Sequence, residues 1–387
     1  MTTITYQQAD LNKIAAGAAV LGSGGGGSYL DGVNIVSQLP ASWSCLLENN
    51  FTDSLGTAMV LAMEGSPDAG DSLTYTNIMA AITNTMQVQK QTFDAAPKYA
   101  FPVETGALNS LIPLLAAGSG GNFFTAMVNG DGAGRAVPEL TDLIFSSGKK
   151  PLPCGPGMLA NSSKNDVQTA VLNGSTAGEV ENLTRGVVSD SFGSIAGLAA
   201  WCNVGRANTG FDGNFIPGTV TAAWSLGDFM LSGIQSTSAI ANAILQYTGQ
   251  AATPLLTNGK LVNVSQTTSG GFDAGVVTLT GTDPVKNQEA TFTLYNLNEN
   301  LMIYSSLQPQ PIAVAPDLIC YYSESTGRGF SNSTNDLAQY LNTGAPVSII
   351  KVKAYPQMYS SAPVMQAWAS LLQKIGYAGA MPTADSL

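Results

Sequence analysis

Three acidic residues stand where an open α/β sheet would place its chemistry. Glu64 ends a short apolar run at residues 57–63, and Glu104 ends an extended segment at 99–104. Asp131 follows a third apolar stretch at 122–128. In a parallel sheet the carboxyl ends of the strands line the ligand crevice, so acids at three neighbouring ends converge. Taken singly, each would be read as a surface acid or a helix cap. Asn129 to Glu139 (NGDGAGRAVPE) is the densest polar cluster in the chain. Asp131, Arg135 and Glu139 follow one another at intervals of four. On a helix start that spacing makes an ion-pair ladder. Its functional version has the planar fork of Arg135 gripping a carbonyl or carboxylate.

The chain has 387 residues and no histidine, with 15 Lys+Arg against 26 Asp+Glu and a net charge of −11. That excludes Ser-His-Asp triads, Cys-His dyads and histidine-liganded metal sites. Acid–base work falls to Asp, Glu, Tyr, Cys, Lys or water. Charged residues make up 11% of the chain, against about 25% in ordinary domains, so the few present are more telling. The acidic balance argues against nucleic acid, and a solvated turn accounts for the Lys149-Lys150 pair. No membrane span is expected, because no run of 18 apolar residues occurs. Met1 to Asp10 lacks the basic start and apolar run of a signal peptide, so a cytoplasmic protein is expected. Cys45, Cys154, Cys202 and Cys320 are scattered and read as small buried hydrophobes, with Cys202, in a Gly-rich region, the candidate for reactivity.

These residues need elements to position them. Leu11, Ile14, Ala15, Ala18 and Leu21 follow helical spacing over 8–21. The helix runs into Gly22-Ser23-Gly24-Gly25-Gly26-Gly27, after which Ser28 caps a second helix. The glycines match G-x-G-x-x-G, but a helix rather than a strand precedes them, so no nicotinamide or flavin site is expected. The backbone N–H groups of Gly24, Gly25, Gly26 and Gly27 can still face an anion or a carbonyl oxygen. Strands at 57–63, 99–104 and 122–128 alternate with helices at 75–90, 106–117 and about 134–147. This predicts an α/β domain over 1–248, in three layers on a mostly parallel sheet. Residues 150–218 show no clear period, and 219–247 is helical with a break near Gly233. After Gly249 come short alternating strands with Asn-Gly, Gly-Gly and Asp-Pro turns, predicting a β-rich second domain over 249–358, a barrel or sandwich. An amphipathic helix at 363–376 closes the chain and is placed to pack on either domain. Size scaling predicts roughly 14,000 Å² of exposed surface.

The segments Leu21–Gly27, Glu104-Thr105-Gly106-Ala107-Leu108-Asn109 and Asp131–Glu139 carry a resemblance, as do Ile216-Pro217-Gly218-Thr219 and Ala315–Ile319. Together, over about residues 10–355, the chain resembles the S-methyl thiohydantoin desulfurase-like family, which is associated with hydantoinase/oxoprolinase systems. The resemblance implies an α/β domain followed by a β-rich one. It also implies an activity that removes an S-methyl group as methanethiol and leaves a hydantoin. Ala107, and Thr221-Ala222-Ala223 in place of a basic residue, depart from the family pattern and bear on specificity.

The expectation is thus a hydrolase of a small cyclic amide or amidine. Asp131 or Glu104 would act as base, with Arg135 and the Gly-loop N–H groups stabilising developing negative charge. Gly24, Gly25, Gly26, Gly27, Asn109, Glu64 and Glu139 would contact the substrate. A divalent metal on Glu104, Asn109 and Asp131 is a further arrangement, since hard oxygen ligands suit Mg²⁺ or Mn²⁺. The alternative is a non-catalytic ligand-binding subunit or partner of a hydantoinase/oxoprolinase-type enzyme. The expected partner is a small-molecule substrate, and a homo-oligomer is compatible with the low charge.

Overall fold

Along Ala58–Gly65 the apolar side chains serve two cores at once. Met59, Leu61 and Met63 face one cluster, while Ala58, Val60 and Ala62 face another. A strand covered on both faces is the signature of a layered α/β sheet. The structure is a computed structural model and describes residues 3–70, 73–147, 151–205 and 210–385; Lys149 and Lys150 lie outside them.

The chain begins with β1 (Thr3–Gln7), α1 (Gln8–Leu21), α2 (Tyr29–Ser37), β2 (Ser44–Glu48), β3 (Ala58–Gly65), α3 (Pro67–Gly70) and α4 (Tyr75–Phe93). Next are β4 (Tyr99–Pro102), α5 (Ile112–Ala117), β5 (Ala126–Val128), β6 (Gly130–Asp131), β7 (Gly157–Ala160) and β8 (Thr169–Leu172). Then come α6 (Ala177–Ser191), β9 (Ile195–Ala200), β10 (Ile216–Pro217), α7 (Thr219–Leu231) and α8 (Thr237–Thr248). The rest comprises β11 (Ala252–Ser269), β12 (Phe272–Asp283), β13 (Gln288–Leu297), β14 (Glu299–Ser305), β15 (Pro311–Val314) and β16 (Leu318–Tyr322). It ends with α9 (Thr334–Thr343), β17 (Val347–Val352), α10 (Pro356–Ser360) and α11 (Ala362–Lys374).

The first sheet has the order β1-β2-β5-β4-β3-β9-β7-β8. Its central strands β2, β5, β4 and β3 run parallel, while the strands flanking them pair antiparallel. Helices α1, α2, α4 and α5 pack on one face. The other face takes α6, α11 and the segment 140–154, so three layers result. The second sheet, β15-β14-β13-β12-β11-β17-β16, is wholly antiparallel and curls into a half-barrel. Its concave core holds Leu279, Phe292, Ile319 and Ile349, with Leu337 and Tyr340 of α9 packed into it. Phe330 stacks between Tyr321 and Tyr340, with ring centroids 4.4 and 4.0 Å away.

Helix α1 joins the two sheets. Leu11, Ile14 and Ala15 face the first core, while Ala18, Val20 and Leu21 pack with α7, α8, β16 and β17. Gly17 and Gly227 let α1 and α7 touch backbone to backbone: a Cβ on Gly17 would lie 1.9 Å from the Ala223 carbonyl oxygen.

Several expectations change. No helix forms over 134–147. Gly134 sits at φ +67°, Pro138 follows, and only single 3₁₀ turns form at Leu140–Asp142 and Ile144–Ser146. Of 106–117 only Ile112–Ala117 is helical. The unread stretch 150–218 supplies β7, β8, α6 and β9, and the β-rich part contains the helix α9. Helix α11 packs on the first sheet through Val364, Trp368, Leu371 and Leu372. All four cysteines are buried and none forms a disulfide; Cys202 accepts a long contact of 3.8 Å from the Gln89 amide. The accessible surface is 13956 Å². No described helix is long and apolar enough to cross a membrane.

Candidate functional site

Because β4 lies between β5 and β3 with all three parallel, their carboxyl ends open on one side. A cleft of about 80 Å³ sits there, on the seam between the two sheets. That is room for on the order of five waters, or one small planar ring. Its floor is Glu64 on β3 and Glu104 just past β4, with Asn109 alongside. Gly26 and Gly27 form one wall, and Val137–Leu140, with Glu181 and Arg185 of α6, another. The second sheet contributes Asn298 and Glu299.

Glu104 is held in place by two donors. Its Oε1 accepts from the Asn109 amide at 2.8 Å and its Oε2 from the Val137 N–H at 2.7 Å. Burial pushes its carboxyl up to about 7 against those hydrogen bonds, with the Asp131 charge adding to the rise. Glu64 takes one hydrogen bond, from the Thr184 hydroxyl at 3.0 Å, and its Oε2 is buried with no partner among the described residues. Burial, then the nearby Glu181 charge, pushes it up to about 8, with Arg185 and Thr184 opposing. Glu299 also leaves Oε2 buried and without a described partner. Burial and the Glu104 charge hold its carboxyl well above the ordinary carboxylate range. Gly25 is a glycine for this reason: a Cβ there would lie 1.8 Å from the Glu299 carboxylate.

The other carboxylates at the cleft are engaged by the protein. Glu139 pairs with Lys374. Glu181 binds Arg185 through one oxygen and accepts from the Leu140 N–H at 2.8 Å with the other. Arg185 in turn donates to the carbonyls of Gly271 and Pro138 and lies 3.9 Å over the Phe272 ring.

Four of the expected site residues, Gly24, Gly25, Asp131 and Arg135, stand outside the lining of the cleft. Asp131 Oδ1 accepts from the N–H groups of Ala133 and Gly134 at 2.8 and 2.6 Å, and Oδ2 from the Thr105 hydroxyl at 2.6 Å. The carboxylate thereby shapes the 131–134 turn. Arg135 is fully buried and makes no ladder with its neighbours. It donates to the carbonyls of Ala136, Pro316, Asp317 and Asn300 at 2.9–3.2 Å and sits 4.8 Å from the Trp368 ring. It thus ties the second sheet and α11 to the first domain.

The glycine loop divides its work. The Ser23 and Gly24 carbonyls accept from the N–H groups of Asn300 and Asn332, fastening the loop to the second sheet. The Gly26 carbonyl accepts from Leu108 and Asn109, which aims the Asn109 side chain at Glu104. Gly26 and Gly27 line the cleft at φ +72° and +93°.

The metal arrangement on Glu104, Asn109 and Asp131 does not fit these contacts. Asn109 points its N–H at Glu104, and donors occupy both oxygens of Asp131. No cluster of three His, Cys, Asp or Glu able to hold a metal occurs among the described residues.

Glu299, Glu181 and Arg185 escaped the sequence reading. Glu181 and Arg185 lie four apart behind the capping box of Thr176 and Glu179, a helix signal sitting in the stretch without clear period. Glu299 opens a strand and has no local mark.

No curated protein matches this chain. A crystal structure of a protein from Chromobacterium violaceum, a structural genomics target, is similar in fold. It matches at 24% identity over 99% of this chain and 100% of its own, with a TM-score of 0.78. The model of the S-Me-THD-like N-terminal domain matches residues 9–170 and that of the S-Me-THD-like C-terminal domain residues 175–365. The first match ends within β8 and the second begins just before α6, so β9 of the first sheet belongs to the C-terminal model. Matched in both parts from residue 9 to residue 365, the chain belongs to the S-Me-THD-like family.

Proposed function

We propose that the protein hydrolyses a small cyclic amide or amidine of the thiohydantoin class, replacing a thiol substituent on the ring carbon by oxygen. One observation carries this reading: buried carboxyls held above their ordinary range surround a ring-sized cleft at the carboxyl ends of parallel strands. In a chain without histidine, such groups are the ones able to trade protons near neutral pH.

Glu104, at about 7, is the base. Asn109 and the Val137 N–H aim it, and its remaining lone pairs are available to a water. Water attacks the ring carbon flanked by nitrogens, forming the C–O bond as the C–S bond breaks. One water proton passes to Glu104 and leaves with the thiolate as thiol. The other ends on the ring nitrogen, by way of Glu299, whose carboxyl burial and the Glu104 charge hold well above the ordinary range. The N–H groups of Gly26 and Gly27 make no hydrogen bond to a described residue and serve as donors at the cleft wall. Asp131 and Arg135 support the turn and the domain seam in this scheme.

The test is Glu104→Gln, assayed by thiol release from a panel of S-methyl thiohydantoins with folding checked by circular dichroism. Turnover should fall at least a hundredfold, as for loss of a general base, which contributes about 10²–10⁴. Unchanged turnover sinks the assignment. Binding of the panel without any turnover in the unaltered protein would support the ligand-binding alternative instead.

A further inference from the structure

The turn from β11 into β12 stands outside the lining of the cleft and yet holds three of its walls. The first wall is α6, whose Arg185 donates to the Gly271 carbonyl at 2.9 Å and lies 3.9 Å over the Phe272 ring. The second is the turn between β13 and β14, where Asn298 and Glu299 line the cleft. Asp273 and Asn298 bond reciprocally there. The Asp273 N–H donates to Asn298 Oδ1 at 2.8 Å, and the Asp273 carbonyl accepts from the Asn298 N–H at 2.8 Å. The third wall is the segment Gly65 to Gly70, which runs on from Glu64 through α3. Its Ser66, Pro67 and Gly70 are buried and line the cleft, whereas Asp68 and Ala69 between them are half-buried. With the cleft on one side and solvent on the other, this segment is a roof. The fully buried Asp273 ties it down: Oδ2 accepts from the Asp68 N–H at 2.9 Å and Oδ1 from the Thr268 hydroxyl at 2.6 Å. The Asp68 carboxylate is a second latch, accepting from the N–H and hydroxyl of Thr334 on α9 at 2.5 and 2.8 Å.

We propose that Asp273 is a positioning residue for the cleft: its carboxylate holds the roof and its backbone holds the Glu299 turn, so the two move as one unit. The proposal rests on the cleft being the reaction site and adds a residue to that reading. A buried carboxylate accepting from a backbone N–H and a hydroxyl makes a strong, directional tie. The roof belongs to the first domain and the Glu299 turn to the second sheet, so Asp273 is the point where covering the cleft meets placing the acid. A covered cleft excludes bulk water and strengthens every electrostatic interaction inside it. With both tasks on one residue, a substrate is enclosed only in a site whose proton carrier is in place.

Hydrogen exchange on the full chain, followed by mass spectrometry in peptides covering 65–70 and 297–300, reads this clamp. Asp273→Ala should speed exchange in both peptides by about tenfold or more, the loss of a hydrogen bond to a charged group. Asp68→Ala removes the Thr334 latch and leaves Asp273 its backbone donor, so it should speed the roof alone. Asp273→Asn keeps an acceptor for the Asp68 N–H and should restore most of the protection. A Glu299 turn that exchanges at the native rate in Asp273→Ala overturns the proposal. Should that variant not fold, the unaltered protein decides: as urea rises below the unfolding transition, the Asp68 and Asn298 amides should converge on one opening free energy, ahead of the strands of the first sheet. Separate openings overturn the clamp. With S-methyl thiohydantoins as substrates, Asp68→Ala should raise KM, while Asp273→Ala should also lower kcat by about tenfold to a hundredfold through misplacement of Glu299. A native kcat in Asp273→Ala overturns the positioning role. Joint exchange in a protein that turns over no thiohydantoin would uphold the clamp and remove the hydrolase reading. Turnover with independent exchange would do the reverse.

Discussion

Glu64→Gln isolates the electrostatic strain at the cleft in one substitution. The amide keeps the oxygen that accepts from Thr184 and puts an NH₂ group where Oε2 has no described partner. In the native protein, burial and Glu181 raise the Glu64 carboxyl from 4.5 to about 8, with Arg185 and Thr184 pulling the other way. The folded state therefore holds a proton that the unfolded chain has released, and stability falls as pH rises from about 4.5 to 8. The gap of about 3.5 pH units, at about 1.4 kcal/mol each, gives a ceiling of about 5 kcal/mol. At pH 5 only about 1 kcal/mol of it has developed. Urea unfolding followed by the fluorescence of the buried Trp43, Trp201 and Trp368 reads this directly. The variant should match the native protein within about 1 kcal/mol at pH 5 and exceed it by about 3–5 kcal/mol at pH 8. Glu104 and Glu299 titrate in both proteins, so the difference between the curves belongs to Glu64 and the groups coupled to it. Parallel stability curves would refute the argument, because they would mean Glu64 ionises in the folded protein as easily as in the unfolded chain.

Asp131→Asn should lower stability by about 1–3 kcal/mol, since one amide oxygen replaces a carboxylate accepting three hydrogen bonds. Turnover per folded molecule should stay within a few-fold of native; abolished turnover in a fully folded variant would restore Asp131 as the base. Arg135→Met should cost about 3–5 kcal/mol by thermal or urea unfolding, because four buried carbonyls lose their donors and Trp368 loses its cation. A stable Arg135→Met protein would show that the seam is held by apolar packing alone.

Much of the fold was legible because its signals are local. The α1 periodicity, the Ser28 cap and the alternating strands after Gly249 each depend on residues a few positions apart. The segment 134–147 misled for a physical reason. Its four-residue charge spacing suits a helix, but the Asp131 carboxylate captures the Ala133 and Gly134 N–H groups, and Gly134 takes a left-handed conformation. Strands β7 and β9 lie in a Gly- and Asn-rich stretch, and their partners are distant in sequence, so nothing local marks them. Within the site, Glu64 and Glu104 were found from their places at strand ends, and both line the cleft. Glu299 could not be found so, because its importance comes from lying against Gly25, 274 positions earlier.

Composition alone removed histidine from any proton chemistry here and left Asp, Glu, Tyr, Cys, Lys or water to carry it. Strand patterning determined that acids would gather at the ends of parallel strands. Which acids line the cleft was decided only in three dimensions. A carboxylate becomes a reactive group or a structural staple according to what fills its lone pairs, and those donors arrive from remote parts of the chain. Backbone N–H groups and Thr105 occupy Asp131, whereas Glu64 and Glu299 each keep an oxygen that no described residue satisfies.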